Sequence, residues 1–177
     1  MALQTQTFTY GSFTSNDFNK YVLELTLTEN SVDEKNNTSS VDYELVLKSG
    51  SGNRFEGRVD SALSLNGVEV ASNSEKKYLD YNSSWTLLSG TATVAHNANG
   101  SLNMPIVVSI DTAETNQYSP SDTAVNWEML LTPINLGCVY IANASGVLDK
   151  HLVYIHNGTA FEKYVPYIHD GSNWQRY

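Results

Sequence analysis

Between Thr86 and Asp111 the chain reads TLLSGTATVAHNANGSLNMPIVVSID. Few folds accommodate such a stretch. On its first arm Leu88, Gly90, Ala92, Val94 and His96 alternate with Leu87, Ser89, Thr91, Thr93 and Ala95. Side chains two apart share a sheet face, so the small and apolar series can line a core while the hydroxyl series faces water or a second chain. The second arm carries the β-branched residues Ile106, Val107, Val108 and Ile110, which favour strand. The intervening HNANGS contains an Asn99-Gly100 step, which suits the positive φ values of a hairpin turn. The stretch predicts two strands joined by a tight polar turn, and carries no catalytic motif.

The same period-2 pattern recurs upstream. Tyr21, Leu23, Leu25 and Leu27 alternate with Glu24, Thr26 and Thr28, and Val41, Tyr43, Leu45 and Leu47 repeat the pattern, so both segments read as half-buried strands. A weaker first strand is expected around Phe8, Tyr10 and Phe13. Arg54 to Val59 reads as a short strand. Leu63 and Leu65, then Asn66-Gly67, then Val68 and Val70 form the sharpest local hairpin signal. SEKKYLDYNSSW reads as a polar loop, and Val125, Trp127, Met129 and Leu131 as one face of a last strand. Eight or nine strands, no helix and turns at regular spacing predict an all-β, antiparallel β-sandwich over residues 1–135, immunoglobulin-like or jelly-roll in style.

After Pro133-Ile134-Asn135-Leu136 the texture changes. VYIANASGVLDKHL, VYIHNGTAFEKYV and PYIHDGSNWQRY begin at Val139, Val153 and Pro166 and each opens on Tyr-Ile. Residues 138–177 are therefore expected to form a small module of repeated β-hairpins. A single hairpin is marginal in water, so a series, or pairing with other chains, is needed.

Charge excludes several functions. Ten basic against 19 acidic residues leave a net −9, and Lys76-Lys77 is the only basic pair. Such a surface repels nucleic-acid backbones and anionic membranes. No apolar run is long enough to span a bilayer, and the N-terminus lacks the basic and apolar regions of a secretory signal. The protein is thus expected to be made in a cytoplasm without export of its own. One cysteine, Cys138, cannot form an internal disulfide, and in LGCVYI it reads as a small buried hydrophobe.

Residues able to carry chemistry are scattered. His96, His156 and His169 each open a polar turn, which suits capping better than a metal. Asp60, Asp80, Asp111, Asp122 and Glu128 belong to no motif for glycoside hydrolysis. The sequence therefore predicts no catalytic residues, no metal and no cofactor. Tyr78, Tyr81 and Trp85 can stack on sugar rings or plug the end of a sandwich. Trp174, among Tyr164, Tyr167 and Tyr177, poses the same choice between ligand and packing.

His96, Asn97, Asn99 and Gly100, following a Thr- and Val-rich strand and Trp85, resemble a His-Asn-x-Asp/Asn-Gly turn of tailed-bacteriophage minor structural proteins. The family often has Asp where this chain has Asn99, and both residues tolerate the turn. YIHNGTAFEKY and YIHDGSNWQRY look like the repeats that end many phage tail and fibre proteins. Together the two resemblances cover about residues 80–112 and 138–177. They imply a non-enzymatic virion structural protein of tail tip, baseplate, fibre or head–neck decoration, made in the bacterial host cytoplasm. Its implied partners are other virion proteins and host cell-surface polysaccharide, bound multivalently by a homo-oligomer, with a trimer favoured by resemblance alone. The rival readings are a carbohydrate-binding module of a bacterial surface or secreted protein, a cell-wall hydrolase, and a capsid decoration without a receptor.

Overall fold

A computed structural model describes residues 2–11, 21–50, 55–112, 123–134, 138–142, 148–156, 159, 161–164, 167–169 and 174–176. From residue 138 onward only backbone and strand pairing enter the account. The expected turn at 15–17, the loop 113–122 and the Gly turns of the last two hairpins lie outside the described residues.

Among the described residues eight strands precede Pro133: β1 (Gln4–Gly11), β2 (Tyr21–Asp33), β3 (Thr38–Ser49), β4 (Phe55–Leu65), β5 (Val68–Leu79), β6 (Ser84–Ala95), β7 (Asn103–Asp111) and β8 (Thr123–Leu130). They form two four-stranded antiparallel sheets, ordered β1-β2-β3-β6 and β5-β4-β7-β8. β3 and β6 pair in one sheet while their successors β4 and β7 pair in the other, which locks the sheets together. This is the immunoglobulin arrangement: β2, β3 and β6 take the places of strands A, B and E, and β4, β7 and β8 those of C, F and G. β5 extends the second sheet as an extra strand beside C, and β1 extends the first. No helix occurs among the described residues.

The predicted inward series meet in one core. Tyr21, Leu23, Leu25 and Leu27 of β2 and Val41, Tyr43, Leu45 and Leu47 of β3 face Leu63 and Leu65 of β4 and Met104, Ile106, Val108 and Ile110 of β7. At the β1/β8 edge Phe8 stacks on Trp127, with ring centroids 5.4 Å apart. The outer face of the first sheet is a lawn of hydroxyls. Thr5 and Thr28 lie 3.1 Å apart, Thr7 and Thr26 3.3 Å apart, and the Thr91 hydroxyl donates to Asp42 at 2.6 Å.

Two expectations are corrected. The arms of the Thr86–Asp111 stretch do not pair: β6 belongs to the first sheet and β7 to the second. HNANGS is a crossover between sheets. Gly100 does take the positive φ of +81° that the sequence suggested, but a turn signal fixes a change of direction, not a pairing partner. The second correction is SEKKYL, expected in a loop and found within β5. β5 is an edge strand that is almost wholly exposed, so its sequence shows no apolar period, and its paired lysines are typical edge protection.

β6 also departs from simple alternation. Leu45 pairs with Leu88 but the next residue, Val46, pairs with Thr86, so Leu87 is an inserted bulge residue. Trp85 and Leu87 therefore face inward before the bulge, and Leu88, Ala92 and Val94 after it. Beyond the bulge Gly90 pairs with Tyr43. A Cβ at Gly90 would sit 2.5 Å from the Tyr43 hydroxyl oxygen and 2.9 Å from Cζ. Gly90→Ala is expected to destabilise the domain by about 1–3 kcal/mol through this overlap. Urea unfolding should show most of that loss restored in a Gly90→Ala, Tyr43→Val double variant relative to Tyr43→Val alone. Equal penalties in both backgrounds would rule out the clash as the cause.

The C-terminal segment pairs as β9 (Cys138–Ala142), β10 (Leu148–His156), β11 (Phe161–Tyr164), β12 (Tyr167–His169) and β13 (Trp174–Arg176). β10 serves two hairpins: residues 148–152 pair with β9 and residues 153–156 with β11. β12 and β13 form a separate antiparallel pair.

Candidate functional site

Three places on the sandwich gather polar or aromatic groups. The first is the β5–β6 turn. Ser49 Oγ donates to the Asp80 carbonyl at 2.5 Å and Ser83 Oγ does so at 2.6 Å, while the Ser83 amide donates back to Ser49 Oγ at 3.1 Å. Asp80 Oδ1 accepts the Tyr81 amide at 2.8 Å. The turn is thereby tied to the end of β3. It holds Tyr81 out at 51% exposure, with Tyr78 of β5 at 43%. Trp85, grouped with them in the sequence, is only 3% exposed and belongs to the core. The Lys77 ammonium lies 5.3 Å from the centre of its ring, within cation–π range. Trp174 lies on β13, where only backbone pairing is described.

The second place is a groove of about 510 Å³ on the outer face of the second sheet, lined among others by Arg58, Asp60, Ser74, Ser109 and Asp111. Asp60 and Asp111 are directly opposite each other on β4 and β7. Like charges in such positions destabilise a sheet. Arg58 offsets this from one side: its Nε donates to Asp60 Oδ1 at 3.0 Å and also lies 2.7 Å from Ser74 Oγ. The Ser74 hydroxyl, then the Arg58 guanidinium, hold the Asp60 carboxyl below its ordinary value. A carboxyl lowered in this way keeps its charge and is a poor proton donor for glycoside hydrolysis, which needs one carboxyl raised. Of the other acidic residues singled out in the sequence, the two that are described, Asp80 and Glu128, do not line the groove. Asp80 caps its turn, Glu128 accepts the Asn103 amide at 2.5 Å, and Asp122 lies outside the described residues. No group of three potential metal ligands occurs among the described residues.

The third place is buried. Glu29, fully enclosed at the end of the β2 inward series, accepts Ser39 Oγ at 2.7 Å on Oε1. Its Oε2 accepts Gln4 Nε2 at 2.6 Å, the Thr132 amide at 3.0 Å and the Thr132 hydroxyl at 2.8 Å. Ser39 Oγ also lies 2.7 Å from His96 Nε2. His96 Nδ1 lies 2.9 Å from the Gly100 carbonyl, which can only accept, so Nδ1 carries a proton. Asn37 closes the cluster by donating to the carbonyls of His96 and Asn97 at 3.2 and 2.9 Å. Burial alone would push the Glu29 carboxyl up; the donors from Ser39, Thr132 and Gln4 outweigh it and hold the group below its ordinary value. This cluster ties β1, β2, β3, the β6–β7 crossover and the segment after β8 into one clamp. Sequence reasoning passed over Glu29, although the parity of 21, 23, 25 and 27 already places it inside. His96 is a structural member of the clamp. His151, His156 and His169 lie on strands β10 and β12, for which only backbone pairing is described.

The fold and these surfaces define an immunoglobulin-type β-sandwich whose polar residues build a clamp within and hydroxyl-rich faces without, followed by a run of short hairpins. Residues 10–156 match the model of the siphovirus protein family DUF859, whose function is unknown, and the chain belongs to that family. It is a tailed-phage protein. No curated protein and no solved structure matches it.

Proposed function

We propose that the chain is a non-enzymatic structural component of the virion, placed in the tail tip, baseplate, fibre or a head–neck decoration. In this reading the sandwich is held by other virion proteins and the hairpin module contacts the host surface polysaccharide. The protein acts as a homo-oligomer, with a trimer the favoured state, so that weak contacts add through multivalency.

Membership of a siphovirus family carries the reading, since the matched residues span the sandwich and the first hairpin. Two surface features support it. The threonine rows on the first sheet form a polar surface of the kind that suits protein–protein docking through hydrogen bonds. In the sheet-face groove the Arg58–Asp60 pair and the neighbouring serines offer hydrogen-bonding groups that suit binding.

The test is density-gradient purification of phage followed by quantitative mass spectrometry and antibody labelling in the electron microscope. The chain should co-purify with particles at a fixed ratio to the major capsid protein, and gold should decorate one defined location. Recovery only in the soluble fraction of the lysate would overturn the structural role.

A further inference from the structure

The strand register sorts the C-terminal residues in a way that the repeats in the sequence do not reveal. In all three hairpins the tyrosine of Tyr-Ile is opposite a basic residue: Tyr140 faces Lys150, Tyr154 faces Lys163 and Tyr167 faces Arg176 across the ladder. The isoleucine is opposite an acid or amide each time, as Ile141 with Asp149, Ile155 with Glu162 and Ile168 with Gln175. One step further, His156 is opposite Phe161 and His169 is opposite Trp174.

Successive residues alternate between faces, and directly opposed residues share one. Each hairpin therefore has a Tyr–cation face and an Ile–acid face. In the second and third hairpins the Tyr–cation face also carries the His–aromatic pair. Lys150, Lys163 and Arg176 are the only Lys or Arg residues from 138 to 177, so every cation of the module lies on a tyrosine face. Asp149 and Glu162 are on the other. Three cations against Asp149, Glu162 and Asp170 make the module neutral, and the net −9 resides entirely in the residues before it.

We propose that these faces form a series of equivalent subsites for an anionic glycan polymer of the bacterial envelope, one bearing a phosphate or carboxylate on each repeating unit. The inference rests on the attachment reading and names its ligand class. A cation pairs with the acidic group, and the adjacent aromatic offers a flat apolar surface to the sugar ring. Copies spaced along the chain match a ligand that is itself repetitive, so that individually weak contacts accumulate. The acidic sandwich repels the same polymer, which orients the approach so that the hairpins lead.

The test uses full-length protein coated on beads, with fluorescent hyaluronan, which carries a carboxylate on each repeating disaccharide, as the anionic polymer and dextran as the neutral one. The native chain should retain the anionic glycan at low salt, release most of it at high salt, and ignore dextran. The Lys150→Gln, Lys163→Gln, Arg176→Gln variant should bind about tenfold less, through loss of several linked charges. Tyr154→Thr with Tyr167→Thr, which preserves strand preference, should lose the preference for hyaluronan over plain polyphosphate. Far-UV circular dichroism of both variants reports whether the strands persist. Equal polymer binding by native and triple variant with strands intact overturns the proposal, as does equal retention of dextran. Binding of duplex DNA as strong as that of the glycan polymer also overturns it, by showing a generic polyanion surface.

The same beads presented to host cells separate this proposal from the attachment reading. If native and triple-variant beads capture cells equally, attachment stands and these subsites fall. If native beads capture no cells, the attachment reading falls with the ligand class proposed for it.

Discussion

Glu29→Ala is expected to lower stability by about 3 kcal/mol, because it strands hydrogen-bond donors that the buried carboxylate satisfies. The reason is geometric. The Glu29 carboxylate accepts from Ser39, Gln4 and twice from Thr132, and one of these donors is a backbone amide that cannot turn away. Truncation removes the acceptor from the amide and hydroxyl of half-buried Thr132 and from the buried Ser39 hydroxyl, while the Gln4 amide keeps the Leu130 carbonyl at 2.9 Å. For a chain of this size the melting temperature should fall on the order of 10 °C. Glu29→Gln should lose less, since the amide keeps one acceptor oxygen but turns an NH2 toward donors.

The same clamp predicts a pH dependence with a definite sign. The folded-state value of Glu29 is held below its ordinary 4.5. Its contribution is therefore complete above that value and is lost as pH falls through the lower folded-state value. Urea unfolding at pH 7 and at steps below 4.5 should show the native chain losing stability in acid more steeply than Glu29→Ala, so that the two converge. Parallel curves would show that the carboxylate is not the acid-sensitive group of the clamp.

Trp85→Ala should be the most damaging single aromatic truncation among the residues first grouped as sugar binders, at about 3–5 kcal/mol. The ring is in the core at 3% exposure, on β6 opposite Leu47. Among the described residues its indole Nε1–H has no hydrogen-bond acceptor. Trp85→Phe removes that unpaired donor along with some volume, so its loss should be far smaller than that of alanine. Tyr81→Ala, at an exposed turn, should stay within about 0.5 kcal/mol of the native chain. Thermal and urea unfolding of the three variants rank them directly. An unchanged melting temperature for Trp85→Ala would contradict its place in the core.

What could be read in advance follows from where burial is one-sided. β2 and β3 bury one face each, so Tyr21 to Leu27 and Val41 to Leu47 alternate and betray their strands. β5 buries neither face, and SEKKYL therefore carries no period. The bulge at Leu87 breaks the parity of β6, so Trp85 and Leu87 fall on the face that simple alternation from Leu88 assigns to solvent. The partner of β7 was invisible because pairing between distant strands leaves no local mark; Asn99-Gly100 records only that the chain bends. The clamp was half legible: strand parity points Glu29 inward, but its donors come from Gln4, Ser39 and Thr132, far apart in the chain. The hairpin repeats were plain as letters, whereas the sorting of their charges by face needed the register.

The double duty of β10 has a mechanical consequence. The incoming chain at Cys138 pairs with Leu152 and the outgoing chain at Tyr164 pairs with Val153. Both hairpins therefore open at the middle of β10, on its opposite flanks. Tension between those two points peels each hairpin from its open end, breaking hydrogen bonds one after another rather than all at once in shear. Such a segment yields under small loads, lengthens, and closes again when slack returns. Under load it would act as a compliant tether, paying out length instead of concentrating the pull on any single contact.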